Sequence, residues 1–200
     1  MTLSLLGLCG SLRAGSVNRK LMHAAAGRFG PADFTVGDLR LPLYDGDLEK
    51  AEGIPPEVQR LAGQIVAADA VLIVSPEYNQ APSGVLKNAL DWISRVEGTP
   101  WRDKPVAMMS AAAGRAGGAR AQYALRLWMI PFRPLVVPGP EVNVAGAANE
   151  FDEAGELISQ RYGAALDELM GQLRRLAEDR HEEAPPESVA MRSRAGARAS

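Results

Sequence analysis

The sequence predicts a three-layer α/β fold, a doubly wound five-stranded parallel sheet with helices on both faces. Three observations predict it. Four short apolar runs, at residues 3–9, 70–75, 106–110 and 135–137, are nearly continuous rather than alternating, as strands buried on both faces are. Segments carrying a helical apolar stripe separate these runs. Strand and helix then alternate strictly along the chain, the pattern of a parallel sheet wound with right-handed crossovers.

The run at 3–9 has no basic segment before it and is too short for a secretory signal or a membrane span, so it reads as a buried strand. Leu21, Met22, Ala25 and Phe29 then share one helical face. Residues 34–39 alternate more and belong toward a sheet edge. Val58, Leu61, Ala62, Ile65 and Val66 follow the spacing of an amphipathic helix, and Pro55 and Pro56 before them suit a helix start. Val85, Leu86, Ala89, Leu90 and Ile93 make a third stripe, with Ser83 placed to cap it. Ala121, Ala124, Leu125, Trp128 and Met129 make a fourth, stopped before Pro131. Ile158, Tyr162, Ala165, Leu166, Leu169, Leu173 and Leu176 make the last. From about residue 180 the pattern ends in a stretch rich in Ala, Glu, Pro, Ser and Arg. Residues 1–178 are therefore expected as one domain and 179–200 as a disordered tail.

Composition narrows the function. A length of 200 residues suits one domain, and a 46% apolar share fills its core. The net charge of −2 lacks the electrostatic footprint of a nucleic-acid binder. A single cysteine, Cys9, excludes an internal disulfide and a cysteine-rich zinc site and suits the cytoplasm. Cys9 ends a buried strand and reads as an inert thiol. His23 and His181 have no Cys or Asp at ligand spacing, so both read as surface residues and no metal site is expected. Trp92, Trp101 and Trp128 read as packing residues, and Arg174 and Arg175 as solvated.

The chemistry concentrates in two loops. The first strand runs into Gly10-Ser11-Leu12-Arg13-Ala14-Gly15-Ser16-Val17-Asn18, and a helix follows. Strand ends of this kind are where open α/β sheets bind ligands. Ser11 and Ser16 offer hydroxyls, Asn18 an amide and Arg13 a charge, and a helix N-terminus adds N–H groups and a favourable dipole. The set suits a monophosphate held without metal. A Walker loop is excluded by the missing Lys-Ser/Thr pair, and a dinucleotide loop by the placement of Gly7 and Gly10. The plainer alternative is a Ser-capped helix beside a solvated arginine. The second loop follows the third strand: Pro76 and Pro82 stiffen it, Tyr78 supplies an aromatic ring, and Asn79 supplies donors and an acceptor. Glu77 reads as a structural hydrogen-bond acceptor rather than a catalytic acid.

Together these residues carry a resemblance. Gly10-Ser11-Leu12-Arg13 with Ser16 and Asn18, then Pro76-Glu77-Tyr78-Asn79 with Gly84, Leu86-Lys87-Asn88 and Asp91-Trp92, resemble the NADPH-dependent FMN reductase family. That family includes bacterial chromate, quinone and azo-dye reductases. Leu41-Pro42-Leu43-Tyr44-Asp45 with Asp47, and Gly117-Gly118 with Arg120, Ala121 and Gln122, extend the likeness over roughly residues 1–175. The chain departs from the pattern at Ser110-Ala111-Ala112-Ala113-Gly114, where relatives often carry Ser-Pro-Gly.

The resemblance implies a flavodoxin-like strand order, 2-1-3-4-5, which sets the two loops face to face across the switch point. It implies non-covalent FMN, with Ser11, Arg13, Ser16, Val17 and Asn18 on the phosphate. Pro76, Glu77, Tyr78 and Asn79 would line the ring, and Ser110 and the glycines after it, Gly114 first, would close its far edge. NADPH or NADH would pass hydride to the flavin and a small-molecule acceptor would then take it, with no acid or base side chain required. The family also implies a homodimer or homotetramer. Two alternatives stay open: a flavodoxin-type electron carrier without NAD(P)H activity, and a phosphosugar or nucleotide-binding domain without flavin.

Overall fold

The computed structural model describes residues 2–182. Leu3, Leu5 and Cys9 of strand β1 (Leu3–Cys9) belong to one core, and Leu6 and Leu8 to another on the opposite face. Both sets are buried because helices cover both faces. Helices α1 (Val17–Phe29) and α6 (Gln160–Glu182) pack on the first face. Helices α3 (Pro56–Ala67), α4 (Gly84–Ile93) and α5 (Ala119–Met129) pack on the second. This is why the strand run is continuous in sequence rather than alternating.

Strands β2 (Ala32–Gly37), β1, β3 (Ala70–Val74) and β6 (Pro105–Ala111) lie side by side, all parallel. Leu5 stands between Phe34 and Ala70, and Val71 stands opposite Val106. The fifth position is divided, unlike the expected single strand. Strand β7 (Leu135–Val136) pairs with the start of β6, and β8 (Val142–Val144) pairs with its end, opposite Met109–Ala111. Pro138 and Pro140 lie between them and have no N–H to give a ladder. Taken as one position, β7 and β8 complete the order 2-1-3-4-5. A separate antiparallel hairpin, β4 (Glu77–Tyr78) and β5 (Ala81–Pro82), stands outside the sheet.

Several elements differ from the sequence reading. Strand β2 starts and ends two residues earlier, because its register with β1 runs out at Gly37 and Asp38 then accepts the Arg40 N–H (3.0 Å), turning the chain. Helix α2 (Gly46–Glu52) has no apolar stripe and buries no residue, so periodicity misses it. Its marks are the Asp45 side chain accepting from Asp47 N (2.9 Å) and Gly53 just after its end. Ser83 caps α4 as expected, through Leu86 N (3.3 Å). Ile158 precedes α6 and is 59% exposed, so it is no part of that stripe.

Helix α6 continues to Glu182, past the expected boundary at 178; residues 183–200, where a disordered tail is expected, lie outside the described residues. His181 is accordingly not a free surface residue. Its Nδ1 lies 3.0 Å from Oδ1 of the buried Asp69, which also accepts from Ser4 N and Ser4 Oγ, both at 2.9 Å. Burial pushes the Asp69 carboxyl up, but the Ser4 N–H, the His181 imidazole and the Ser4 hydroxyl outweigh it and hold the group below the usual carboxylate range. Arg174 is not simply solvated either. It donates to Phe29 O (3.2 Å) and Pro31 O (3.1 Å) and pairs with Glu178, tying α6 to the end of α1.

Candidate functional site

Three loops leave the carboxyl ends of β1, β3 and β6 side by side. Gly10 N–H bonds Val74 O (2.8 Å) and Ser75 N–H bonds Met109 O (3.1 Å), which carries the ladder up to the point where the loops diverge. A Cβ on Gly10 would sit 2.7 Å from Ser83 Oγ and 3.3 Å from Pro76, so glycine is what lets the first loop lie against the second. Gly118, at φ +92°, does the same for the third: a Cβ there would be 2.7 Å from Ser110 and 3.8 Å from Glu77.

In the first loop Ser11 and Ser16 are buried, while Leu12, Arg13, Ala14 and Gly15 are exposed. Ser16 is the N-cap residue of α1, yet its hydroxyl makes no capping bond, and the first turn holds no acidic side chain. The plain Ser-capped helix therefore lacks the bond that would define it. The N–H groups of Val17 and Asn18 begin the helix, where no intrahelical acceptor exists. Arg19, in the same turn, buries its Nε without a protein partner. A phosphate monoester fits this donor set. Cys9 lies beneath. Burial pushes its thiol up, against the lowering pull of the Ser11 N–H, Arg19 and the Ser16 hydroxyl, so it stays protonated.

Asn18 does something the sequence does not show. Its Nδ2 donates to Ala111 O (2.8 Å) and its Oδ1 accepts from Ala111 N (2.9 Å). The side-chain amide expected on the phosphate thus clips α1 to the end of β6, and this position turns only its backbone N–H to the loop. Arg40, which the motifs do not mark, donates to Leu12 O (3.3 Å) and pairs with Asp38 (3.2 Å), tethering the loop's outer side.

The second loop is the β4–β5 hairpin. Asn79 (φ 51°) and Gln80 (φ 66°) form its two-residue turn, both left-handed, as a type I′ turn requires. Pro76 is buried at its base, and Tyr78 keeps half of its surface exposed. Glu77 Oε2 accepts from Ala121 N (3.1 Å). The N-cap of α5 is Gly118, which has no side chain to cap with, so Glu77 caps that helix from another loop.

In the third loop Ser110 is fully buried and donates to Gly117 O (2.7 Å). Its hydroxyl, expected at the edge of a bound ring, is instead turned into the protein beneath the loop. Gly114 is exposed at the loop's tip. Gln122, the polar residue that the α5 stripe passes over, is buried beneath the same loop.

The motif around Leu86-Lys87-Asn88 and Asp91-Trp92 is structural. Asn88 Nδ2 (2.9 Å) and Trp92 Nε1 (2.8 Å) both donate to Pro42 O, and Asn88 Oδ1 accepts from Tyr44 N (2.8 Å). Four residues apart on α4, they clamp the 41–45 segment beside the first loop. Lys87 and Asp91 pair on the helix surface at 2.6 Å. Among the described residues no group of three or more His, Cys, Asp or Glu could hold a metal ion, and no helix is long and apolar enough to cross a membrane.

Comparison with known proteins agrees with this geometry. Residues 3–149 match the family described as NADPH-dependent FMN reductase. The chain is 43% identical over 161 residues to an NAD(P)H-dependent FMN reductase of Pseudomonas aeruginosa, covering 80% of this chain and 86% of that one. It is 41% identical over 176 residues to a quinone reductase of Escherichia coli, covering 86% and 92%. The solved structure of FerB, a flavoenzyme NAD(P)H:(acceptor) oxidoreductase from Paracoccus denitrificans, superposes with a TM-score of 0.80 at 29% identity, covering 89% of this chain and 98% of that one. Three loops meeting at the strand ends, an uncapped helix start and a match over most of the domain together establish that the chain belongs to the NADPH-dependent FMN reductase family.

Proposed function

We propose that the chain is an FMN-dependent NAD(P)H oxidoreductase that passes hydride through FMN to an acceptor such as a quinone, a flavin, an azo compound or chromate. The observation that carries this reading is the start of α1, where a buried serine leaves the helix uncapped and the buried Arg19 Nε has no hydrogen-bond partner. Ser11, Ser16, Arg13 and the N–H groups of Val17 and Asn18 would hold the phosphate. Backbone groups of Pro76, Glu77, Tyr78 and Asn79 would line the ring, and the exposed stretch from Ala113 to Ala116 would border its edge. FMN supplies the hydride chemistry, so the protein supplies position and electrostatics. Glu77 serves as the cap of α5, and hydride transfer through the flavin requires no acid or base side chain. NADPH and NADH are both admitted as donors.

Assembly into a homodimer or homotetramer belongs to the same proposal. Leu127 and Ile130 are each 66% exposed beside a cavity of about 570 Å³ lined by Leu90, Trp101, Trp128 and Phe132, away from the three loops. Apolar surface of this kind supports association. A cytoplasmic setting is proposed with it, on the single cysteine.

Purified protein is expected to be yellow, to release FMN on denaturation, and to oxidise NADPH or NADH with a quinone or ferricyanide. Stopped-flow mixing with either nucleotide should bleach the flavin quickly. Colourless protein that takes up no FMN would sink the reading. Bound flavin that neither nucleotide bleaches would make the protein an electron carrier instead.

A further inference from the structure

Gln122 is an unusual occupant of its place: an amide 1% exposed on the inner face of α5. Its Nε2 donates to Val142 O (2.8 Å) and to Asn143 Oδ1 (2.6 Å), and Ser110 Oγ lies 3.2 Å away. The orientation of the amide is decided by Val142, because a reversed amide would set oxygen against the Val142 carbonyl. Its Oε1 is buried without a protein donor, so the side chain is placed for what its NH2 holds.

What the NH2 holds is the support of the third loop. Ser110, near the end of β6, donates its hydroxyl hydrogen bond to Gly117 O (2.7 Å), and Asn143, opposite it on β8, brings its Oδ1 within 3.0 Å of the same hydroxyl. One residue before Gln122, the Ala121 N–H takes the Glu77 carboxylate. One residue after Ser110, Ala111 takes the Asn18 amide. The phosphate end, the ring hairpin and the ring-edge loop thus form one hydrogen-bonded frame. Gln122 is the member that joins α5 to both β6 and β8.

We propose that Gln122 is a positioning residue for the reaction: through Ser110 and Asn143 its amide sets where the 111–118 loop lies against the flavin's edge. This rests on the flavoenzyme reading above. Gln122 does not touch the reacting atoms; it acts through the loop it carries.

The test uses full-length holoprotein. Gln122→Met keeps the length of the side chain and removes its donors. Gln122→Glu keeps the shape and turns an acceptor onto two acceptors. Leu173→Ala, in the core under α6 on the other face of the sheet, serves as a comparator for stability alone. The readouts are the visible spectrum and midpoint potential of the bound flavin, the FMN dissociation constant, the melting temperature and the rate of bleaching by NADPH or NADH. Both Gln122 variants are expected to displace the absorption bands and the potential and to slow bleaching about tenfold or more, as a sub-ångström misplacement at the ring would. The FMN dissociation constant should move far less, since the phosphate donors are untouched. Leu173→Ala should lower the melting temperature and leave spectrum, potential and rate at wild type.

Gln122 variants with wild-type spectrum, potential and rate overturn the proposal, whatever their melting temperature. Ser110→Ala, which cuts the link to Gly117, should reproduce the displaced spectrum and decides the matter if the Gln122 variants do not fold; a wild-type spectrum there also overturns it. Wild-type protein that binds no FMN is a different result, which removes the flavoenzyme reading and this proposal with it.

Discussion

Asn18→Ala separates two roles that one residue could have. The amide makes two buried hydrogen bonds with Ala111, donating to its C=O and accepting from its N–H. Truncation leaves both backbone groups without that partner at a position 2% exposed. Each buried group left unsatisfied costs about 1–3 kcal/mol, so the loss is roughly 2–6 kcal/mol, less whatever water entering the gap restores. For a domain of this size, at about 2–4 °C per kcal/mol, that corresponds to a fall in Tm of roughly 4–24 °C. The assay is urea and thermal unfolding of the apoprotein, which removes any contribution from ligand binding. A clip between α1 and β6 gives the full loss without FMN. A loss under about 0.5 kcal/mol in the apoprotein, with FMN affinity abolished, would refute the clip and return the amide to the phosphate.

Other substitutions test neighbouring parts of the frame. Ser16→Ala should change apoprotein stability by less than about 0.5 kcal/mol, because no capping bond is lost. It should raise the FMN dissociation constant roughly tenfold, as loss of a bond to a charged phosphate does; fluorescence titration and a melt read the two, and the opposite pattern would make Ser16 a cap. Glu77→Ala should cost about 1 kcal/mol by uncapping α5, whereas Glu77→Gln keeps an acceptor for Ala121 and should cost much less; equal stability of the two variants would count against the cap. Asp69→Asn should lower stability by about 1–3 kcal/mol at neutral pH. Because the folded carboxyl is held below its unfolded value of about 3.9, its contribution is present above that pH and is lost as pH falls through the folded value. The gap between wild type and Asp69→Asn should therefore be full above about pH 5 and close below about pH 4; a gap that widens in acid would reverse the assignment.

Much of the fold is legible because its signals are local. The runs at 3–9, 70–75 and 106–110 read as buried strands since helices on both faces demand apolar side chains on both sides. The stripe of Val58, Leu61, Ala62 and Ile65 reads as a helix because all four are buried on one face. Helix α2 is missed because it buries nothing, and only its Asp45 cap marks it. The fifth position is read as the single run 135–137 because its second part, β8, is only three residues long and stands beyond Pro138 and Pro140, so no local pattern marks it as a strand.

The site divides along the same line. Serines, glycines and arginine packed into residues 10–18 already determine that an anion suits this helix start, since their chemistry and spacing are properties of the chain alone. Which of those side chains are spent elsewhere is decided only by the fold. Asn18 is used up by Ala111, 93 positions away, Glu77 by Ala121, and Ser110 by Gly117. Gln122 breaks the apolar stripe of its helix and has meaning only beside Val142 and Asn143. A hydrogen bond needs its partner within about 3 Å, and that distance is set by long-range packing rather than by neighbours along the chain.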